Sequence, residues 1–326
     1  MRVRLGIDLM ESANKFDSLL EELVLFAKKR EDVDFVFFAK KDQKSKIEEI
    51  EKKQKLSIET ILTEHSISMD EDPLLAIRRK KDCPIFAGMR YLKDDKIDAF
   101  ISCGNTGALM VGATMIVGTM KSISRPALLA LIPTKSNLTA ILDVGASVAY
   151  TSDHLVQFAL LGAAFQKARG IKNPRVGLLN IGTEQKKGTF QHQKANLELS
   201  KIKDHFNFAG NIEGKAVFAG KVDVLVTDGF TGNIFLKTSE GLASFVLDKI
   251  DQNFSSDQRH EIFDILKDLK KRLYYAEYPG ALLIGSKKIV IKCHGYSSIR
   301  AIISAINGTI DLVKKDIISS IKSYLQ

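Results

Sequence analysis

Residues 97–110, Ile-Asp-Ala-Phe-Ile-Ser-Cys-Gly-Asn-Thr-Gly-Ala-Leu-Met, constrain this chain more than any other stretch. They pass from a buried-strand pattern into a helical one through a polar turn that contains glycine. At such a turn the first free N–H groups of the helix point outward, and the macrodipole adds roughly half a positive charge. Glycine there lets a ligand approach the backbone closely. The junction is therefore expected to hold an anion, with phosphate the obvious guest.

The same strand-to-helix design recurs along the chain. Val3 to Leu9 reads as a strand, and Phe16 to Arg30 as a helix with Phe16, Leu19, Leu20, Leu23, Val24 and Ala27 at helical spacing. Val33 to Ala39 is a second buried strand, Lys41 to Lys53 a polar helix, and Leu56 to Leu62 a third strand. Asp70-Glu-Asp-Pro73 opens a helix bearing Arg78, Arg79, Lys80 and Lys81. Pro84 to Lys93 is another helix, and Thr106 to Met120 continues the opening stretch. The alternation predicts a mostly parallel α/β sheet.

Further on, a strand ending at Ile132 and one from Leu138 to Val144 form a hairpin or two neighbouring strands. Ser152 or Asp153 is expected to cap a helix reaching Arg169. Strands follow at Arg175 to Ile181, Phe206 to Asn211 and Val222 to Thr227, the last feeding a helix to about Ile250. Lys288 to Lys292 is a late strand, and Ile299 to Tyr324 one long closing helix. Four strand ends carry small or polar residues: the opening turn, Asp143 to Val148, Gly182 to Gly188, and Asp228 to Asn233. Open α/β sheets bind ligands at such ends, so one shared crevice is expected.

With 326 residues and 45% hydrophobic content, the chain can bury a large core, read here as a single α/β domain over 1–326. No apolar run is long enough to span a bilayer, and the first residues lack a signal-peptide pattern, so a cytoplasmic protein is expected. The widely spaced Cys83, Cys103 and Cys293 make no disulfide framework. A formal charge of +9 favours an acidic partner, either nucleic acid, anionic lipid or an acidic carrier protein. The absence of Trp weighs against a base-stacking surface.

Two stretches carry a bland and a sharp reading. Arg78 to Lys81 is either a solvated helix face or a docking patch for an acidic partner. Residues 255–275 form a protruding amphipathic element, with Phe263, Leu266 and Leu269 in one stripe and Lys270 and Lys271 beside it. That stripe packs on the core or a second copy, or it enters the headgroup boundary of a membrane.

Spacing removes several chemistries. No P-loop, dinucleotide fingerprint, H-E-x-x-H or Gly-x-Ser-x-Gly motif occurs, and the histidines are scattered. No metal or nucleotide cofactor is expected. What remains is a set of hydroxyls, amides and backbone donors, with Lys187 and His294 as charged members, suited to binding phosphate while a carbonyl oxyanion develops. Cys103 is either a nucleophile or a small residue closing a strand. His294 is an acid, a phosphate ligand or a loop histidine, and Lys187 is a ligand or a surface lysine.

Ser102-Cys-Gly-Asn-Thr-Gly-Ala-Leu-Met110, Leu142-Asp-Val-Gly-Ala146, Val176-Gly-Leu-Leu-Asn-Ile-Gly182 with Glu184 and Lys187-Gly188, Asn211-Ile-Glu-Gly214 and Asp228-Gly-Phe-Thr-Gly-Asn233 resemble PlsX. That is the bacterial phosphate acyltransferase family, or acyl-carrier-protein:phosphate transacylase. The resemblance implies a three-layer α/β/α sandwich with a mostly parallel Rossmann-like sheet, similar to the phosphotransacetylase and isopropylmalate dehydrogenase group. It implies conversion of acyl-acyl-carrier protein and inorganic phosphate to acyl phosphate, early in phospholipid synthesis, by a homodimer attached peripherally to the membrane. The product would pass to a membrane glycerol-3-phosphate acyltransferase.

On that resemblance Lys187, His294 and Asn105 are catalytic. Ser102, Gly104, Asn105, Thr106, Gly107, Asp143, Asn180, Glu184, Asp228, Thr231 and Asn233 bind phosphate or substrate, Arg78 to Lys81 dock the carrier, and the 263–271 stripe touches lipid. Asp8-Leu-Met-Glu-Ser-Ala13 departs from the family's Asp-Ala-Met-Gly-Gly-Asp, and His294-Gly-Tyr-Ser-Ser298 from its His-Gly-Ser-Ser-Asp. The alternatives are a phosphotransacylase acting on acyl-coenzyme A, or a membrane-recruited scaffold with reduced catalysis.

Overall fold

A computed structural model describes residues 2–9, 16–253, 280–295 and 297–326. The expectations for residues 10–13, for the 255–275 element with its contact residues 263, 266, 269, 270 and 271, and for residue 296 lie outside the described residues. Two compact units emerge from the contacts. Residues up to Pro126 and those after 279 form unit 1, and the stretch from Ala127 forms unit 2.

Unit 1 opens with β1 (Val3–Asp8), α1 (Phe16–Lys28), β2 (Val33–Lys40), a single 3-10 turn into α2 (Lys44–Gln54), and β3 (Glu59–Thr63). Next come α3 (Pro73–Arg79), α4 (Pro84–Lys93), β4 (Ala99–Ser102) and α5 (Thr106–Gly112). β1 pairs in parallel with both β2 and β4, and β2 with β3. Side-chain alternation assigns the two faces. Phe35 meets Phe26 of α1 edge-on, whereas Phe38 meets Tyr91 of α4 and Phe100. Helices thus cover both faces of this sheet. After α5 the backbone widens into one π turn, Ala113–Val117, and stops at Gly118 with φ 90°. The helix expected to reach Met120 ends there, because a positive φ cannot continue a right-handed helix.

Unit 2 contains β5 (Ala127–Pro133), β6 (Leu138–Leu142), α6 (Ser152–Ala168), β7 (Arg175–Leu179), α7 (Phe190–Leu199), β8 (Asn207–Ile212), α8 (Gly214–Val217), β9 (Val224–Val226) and α9 (Gly229–Asn253). β5 and β6 are antiparallel neighbours, which settles the open choice in favour of a hairpin. The rest is parallel: β6 with β9, β9 with β7, and β7 with β8. Thr151 rather than Ser152 or Asp153 caps α6, its side chain accepting from His154 N at 3.3 Å. Gly162 lets α6 settle onto the sheet, since a Cβ there would lie 2.8 Å from Leu142 Cδ1.

Unit 1 resumes with β10 (Ala281–Ile284), β11 (Ile289–Lys292), α10 (Ile299–Lys314) and α11 (Ile317–Leu325). β11 runs antiparallel to β10 and parallel to β4. The single closing helix expected from the sequence is broken at Asp316, whose backbone is left-handed at φ 44° and whose side chain caps the next helix at Ser319 N. Asp tolerates this conformation better than most residues, and its carboxylate suits a helix start. Among the described residues, no helix is long and apolar enough to cross a membrane.

Candidate active site

In unit 1 the strand register brings three polar residues into one row. Asp8 pairs with Ser102 across β1 and β4, and Lys292 pairs with Ser102 across β11 and β4. All three are buried. Ser102 Oγ donates to Asp8 Oδ2 at 2.6 Å and accepts from Gly104 N at 3.0 Å. Lys292 Nζ donates to the carbonyl oxygen of Cys103 at 3.3 Å and to that of Cys293. Burial pushes its ammonium below the ordinary lysine pKa. The Cys293 thiol donates to Cys103, which together with Lys292 holds the Cys103 thiol down against its burial.

Asn105, at the start of α5, has its side chain fully engaged. Oδ1 accepts from Ala108 N at 2.9 Å, and Nδ2 faces the carbonyls of Ser68 (3.0 Å), Met69 (3.1 Å) and Glu71 (3.0 Å). It therefore caps one helix and fastens the segment leading into another. Gly107 serves that same approach, since a Cβ there would lie 2.6 Å from Pro73 Cγ. Ala108 N and Leu109 N take the side-chain and main-chain oxygens of Asn105, and among the described residues the backbone N–H groups of Thr106 and Gly107 have no such partner. His294, exposed, follows directly on Cys293, and its carbonyl accepts from Ser297 N at 3.0 Å.

The basic run divides. Arg78 and Arg79 close α3 and are exposed with Lys81, beside the exposed apolar Leu74 and Leu75. Lys80 lies past the helix end and is half-buried, paired with Glu71 at 2.7 Å and bonded to the Ser66 carbonyl.

In unit 2, Asp143 follows β6 and is fully buried. Its carboxylate accepts from Leu128 N, Gly145 N, Ala146 N, Ser147 N and Ser147 Oγ, at 2.7–3.2 Å. Burial nevertheless raises its pKa, with these donors pulling the other way. Asp228 caps α9, bonding Thr231 N at 2.9 Å and Thr231 Oγ1 at 2.7 Å. Asn233 lies against Gly145, which has φ 128°.

Asn180 organises the next loop by donating to the Lys187 carbonyl at 3.1 Å and accepting from Ile181 N at 2.8 Å. The Glu184 carbonyl accepts from Asn211 Nδ2 at 2.8 Å, while the Lys187 and Glu184 side chains are exposed. Lys187 makes no ion pair among the described residues.

Two residues escaped the sequence reading. His192 sits buried in the first turn of α7, its Nδ1 at 2.8 Å from Thr189 Oγ1 and 3.3 Å from Tyr150 OH, with Asp228 acting on it electrostatically. Nothing in the local pattern separates it from a surface histidine. Lys292 did leave a signal, a charge closing the apolar run Ile289-Val-Ile. Buried strands rarely end on an unpaired lysine without a reason.

Residues 3–320 match the model of a family described as fatty acid synthesis protein. A phosphate acyltransferase of Thermoanaerobacter pseudethanolicus is 37% identical, the alignment covering 99% of this chain and 98% of that protein. One from Chlamydia abortus is 40% identical with complete coverage of both. Among solved structures, a phosphotransacetylase from Streptococcus pyogenes aligns with TM-score 0.61 at 15% identity, covering 100% of this chain and 95% of that one. The EutD phosphotransacetylase from Staphylococcus aureus aligns with TM-score 0.59 at 14% identity, covering 98% and 94%. The latter two likenesses concern the fold, a mostly parallel α/β sheet with flanking helices. The full-length matches in sequence go further: this chain belongs to the fatty acid synthesis protein family of phosphate acyltransferases, the PlsX family.

Proposed function

We propose that this protein moves the acyl group of an acyl-carrier-protein thioester onto inorganic phosphate, releasing acyl phosphate and the free carrier. Family membership along essentially the whole chain carries this reading. The chemistry asks little of a catalyst beyond placement and charge. Inorganic phosphate loses its second proton near neutral pH, a little above the value of about 6 for its esters, so a substantial share is dianionic and needs no base. One of its oxygens bonds to the thioester carbon while the carbonyl π pair moves onto oxygen. Collapse of that oxyanion breaks the C–S bond, and the thiolate leaves with little need of an acid.

The N–H groups of Thr106 and Gly107 at the start of the helix suit phosphate, and Asn105, Ser102 and Gly104 shape the turn that presents them. Lys187 and His294 are assigned to neutralise phosphate or the oxyanion. Asp143, Asn180, Glu184, Asp228, Thr231 and Asn233 hold the strand-end loops of unit 2 and bound the substrate. Arg78, Arg79 and Lys81 receive the acidic carrier. The protein acts in the cytoplasm as a homodimer at the membrane surface, through the 263–271 stripe, and supplies a membrane glycerol-3-phosphate acyltransferase in phospholipid synthesis.

Purified protein given phosphate and an acyl-carrier thioester, with hydroxylamine to trap acyl phosphate, tests the reading. Phosphate-dependent acyl hydroxamate is expected with the carrier-bound donor. Product from acyl-coenzyme A alone would make the donor wrong, and no product from either would leave a scaffold.

A further inference from the structure

We propose that Lys292 is a positioning residue for phosphate acyl transfer, its buried ammonium fastening the turn that begins at Cys103 to the turn that begins at Cys293. The inference rests on the proposed reaction and on its assignment of phosphate to the turn at Gly104 and of charge neutralisation to His294. Lys292 is 8% exposed and makes no ion pair among the described residues. Its two acceptors are the carbonyls of Cys103 and Cys293, one directly ahead of Gly104 and the other directly ahead of His294. Asp8, the carboxylate whose charge reaches it, is engaged by Ser102 instead. One side chain therefore sets the heights of two turns on adjacent parallel strands.

A buried charge is an expensive way to fill a core position. Taking a single charge out of water costs several kcal/mol, so stability alone does not explain a lysine here. Two N–H groups of the Lys292 amine serve the two carbonyls, and in the ammonium form a third N–H remains. That third N–H lies at the strand ends, beside the turns to which phosphate and its neutralising histidine are assigned.

Lys292→Met separates the two explanations, because methionine keeps the length and removes the charge. The expected result is a modest fall in melting temperature, since two buried carbonyls lose their donor, with phosphate-dependent turnover down about 100-fold, the size of loss that follows misplacement of reacting groups. Lys292→Arg should recover part of kcat. Unchanged turnover in Lys292→Met, or a Lys292→Arg variant that regains the melting temperature but no kcat, would overturn the inference while leaving the proposed reaction intact. Should wild type make no acyl phosphate, the reaction itself falls, and the rise in melting temperature on adding inorganic phosphate decides separately: an equal rise in wild type and Lys292→Met removes Lys292 from any anion site.

Discussion

Gly232 presses so closely on Asp143 that a Cβ at residue 232 would overlap the Asp143 carbonyl oxygen and lie 2.7 Å from Thr227 Cγ2. Gly229 does the same one turn earlier, where a Cβ would come within 2.7 Å of Asp143 Oδ2. The two glycines at the start of α9 are thus the seat on which the Asp143 loop rests. Gly232→Ala is expected to lower stability by about 3 kcal/mol, as overpacking against backbone does. Gly241, further along the same helix, has nothing among the described residues within 4 Å of its Cβ position, so Gly241→Ala should gain about 1 kcal/mol from helix propensity. Urea midpoints for the two variants check the contrast, and a shared sign would refute the packing argument.

Asn105 offers a finer dissection, since its two ends do different work. Asn105→Asp keeps an oxygen for Ala108 N but loses the donor facing Ser68, Met69 and Glu71. Asn105→Ala loses both. These carbonyls are only part-buried, so leaving them to water costs less than the roughly 1–3 kcal/mol of a buried acceptor, and losing the helix cap costs about 1 kcal/mol more. Limited proteolysis should therefore cut within 66–72 in both variants, while thermal melting falls further in Asn105→Ala. If Asn105→Asp resists cleavage like wild type, the amide does not fasten that segment.

These two cases show what was legible in the sequence. The alternation of strand and helix follows from apolar spacing, and β1, β2, α4 and α10 start within a residue or two of where periodicity puts them. The glycines of the opening turn and of Asp228 to Asn233 were visible as well, but their purpose was not. Sequence records that a Cβ is missing; only geometry shows that Gly107 makes room for Pro73 and Gly232 for Asp143. Asn105 reads as a ligand because its amide looks available, whereas four backbone groups already use it. The break at Asp316 was hidden because apolar residues continue at helical spacing on both sides.

His192 provides a pH signature for unit 2. Burial lowers its pKa from the ordinary 6.5, and Asp228 opposes that shift. A base with a lowered folded-state pKa binds fewer protons folded than unfolded, so its linkage makes stability rise with pH. The contribution is complete above about pH 6.5 and is lost as pH falls through that value toward the folded pKa. Denaturant unfolding between pH 5 and 8 should show a slope that His192→Gln reduces. An unchanged slope would assign the dependence to other groups.

The three thiols should differ in reactivity although all are buried. Burial pushes Cys83 up to about 12, so it is almost wholly protonated at neutral pH. Cys103 is held low by the Cys293 thiol and Lys292. Thiolate is the nucleophile, so iodoacetamide on the native protein should label Cys103 ahead of Cys83, as read by peptide mass spectrometry. Lys292→Met should slow that labelling. Faster labelling of Cys83 would contradict the assigned environment.

The basic run predicts a donor-specific effect. Lys80 is committed to Glu71 and Ser66, so Lys80→Ala should disturb local stability rather than partner binding. Arg78 and Arg79 are exposed beside Leu74 and Leu75, the combination an acidic helical carrier would meet. Reversing both charges should raise KM for the carrier-bound thioester roughly 10-fold, about 1.4 kcal/mol, and leave kcat at saturation near wild type. The wild-type KM should climb with ionic strength and that of the double variant should not, because exposed charges act through a field that salt screens. A small acyl-pantetheine thioester, which lacks the acidic surface, gives the internal comparison: an equal KM increase for both donors would show that the arginines serve the fold or the reacting thioester, not the carrier.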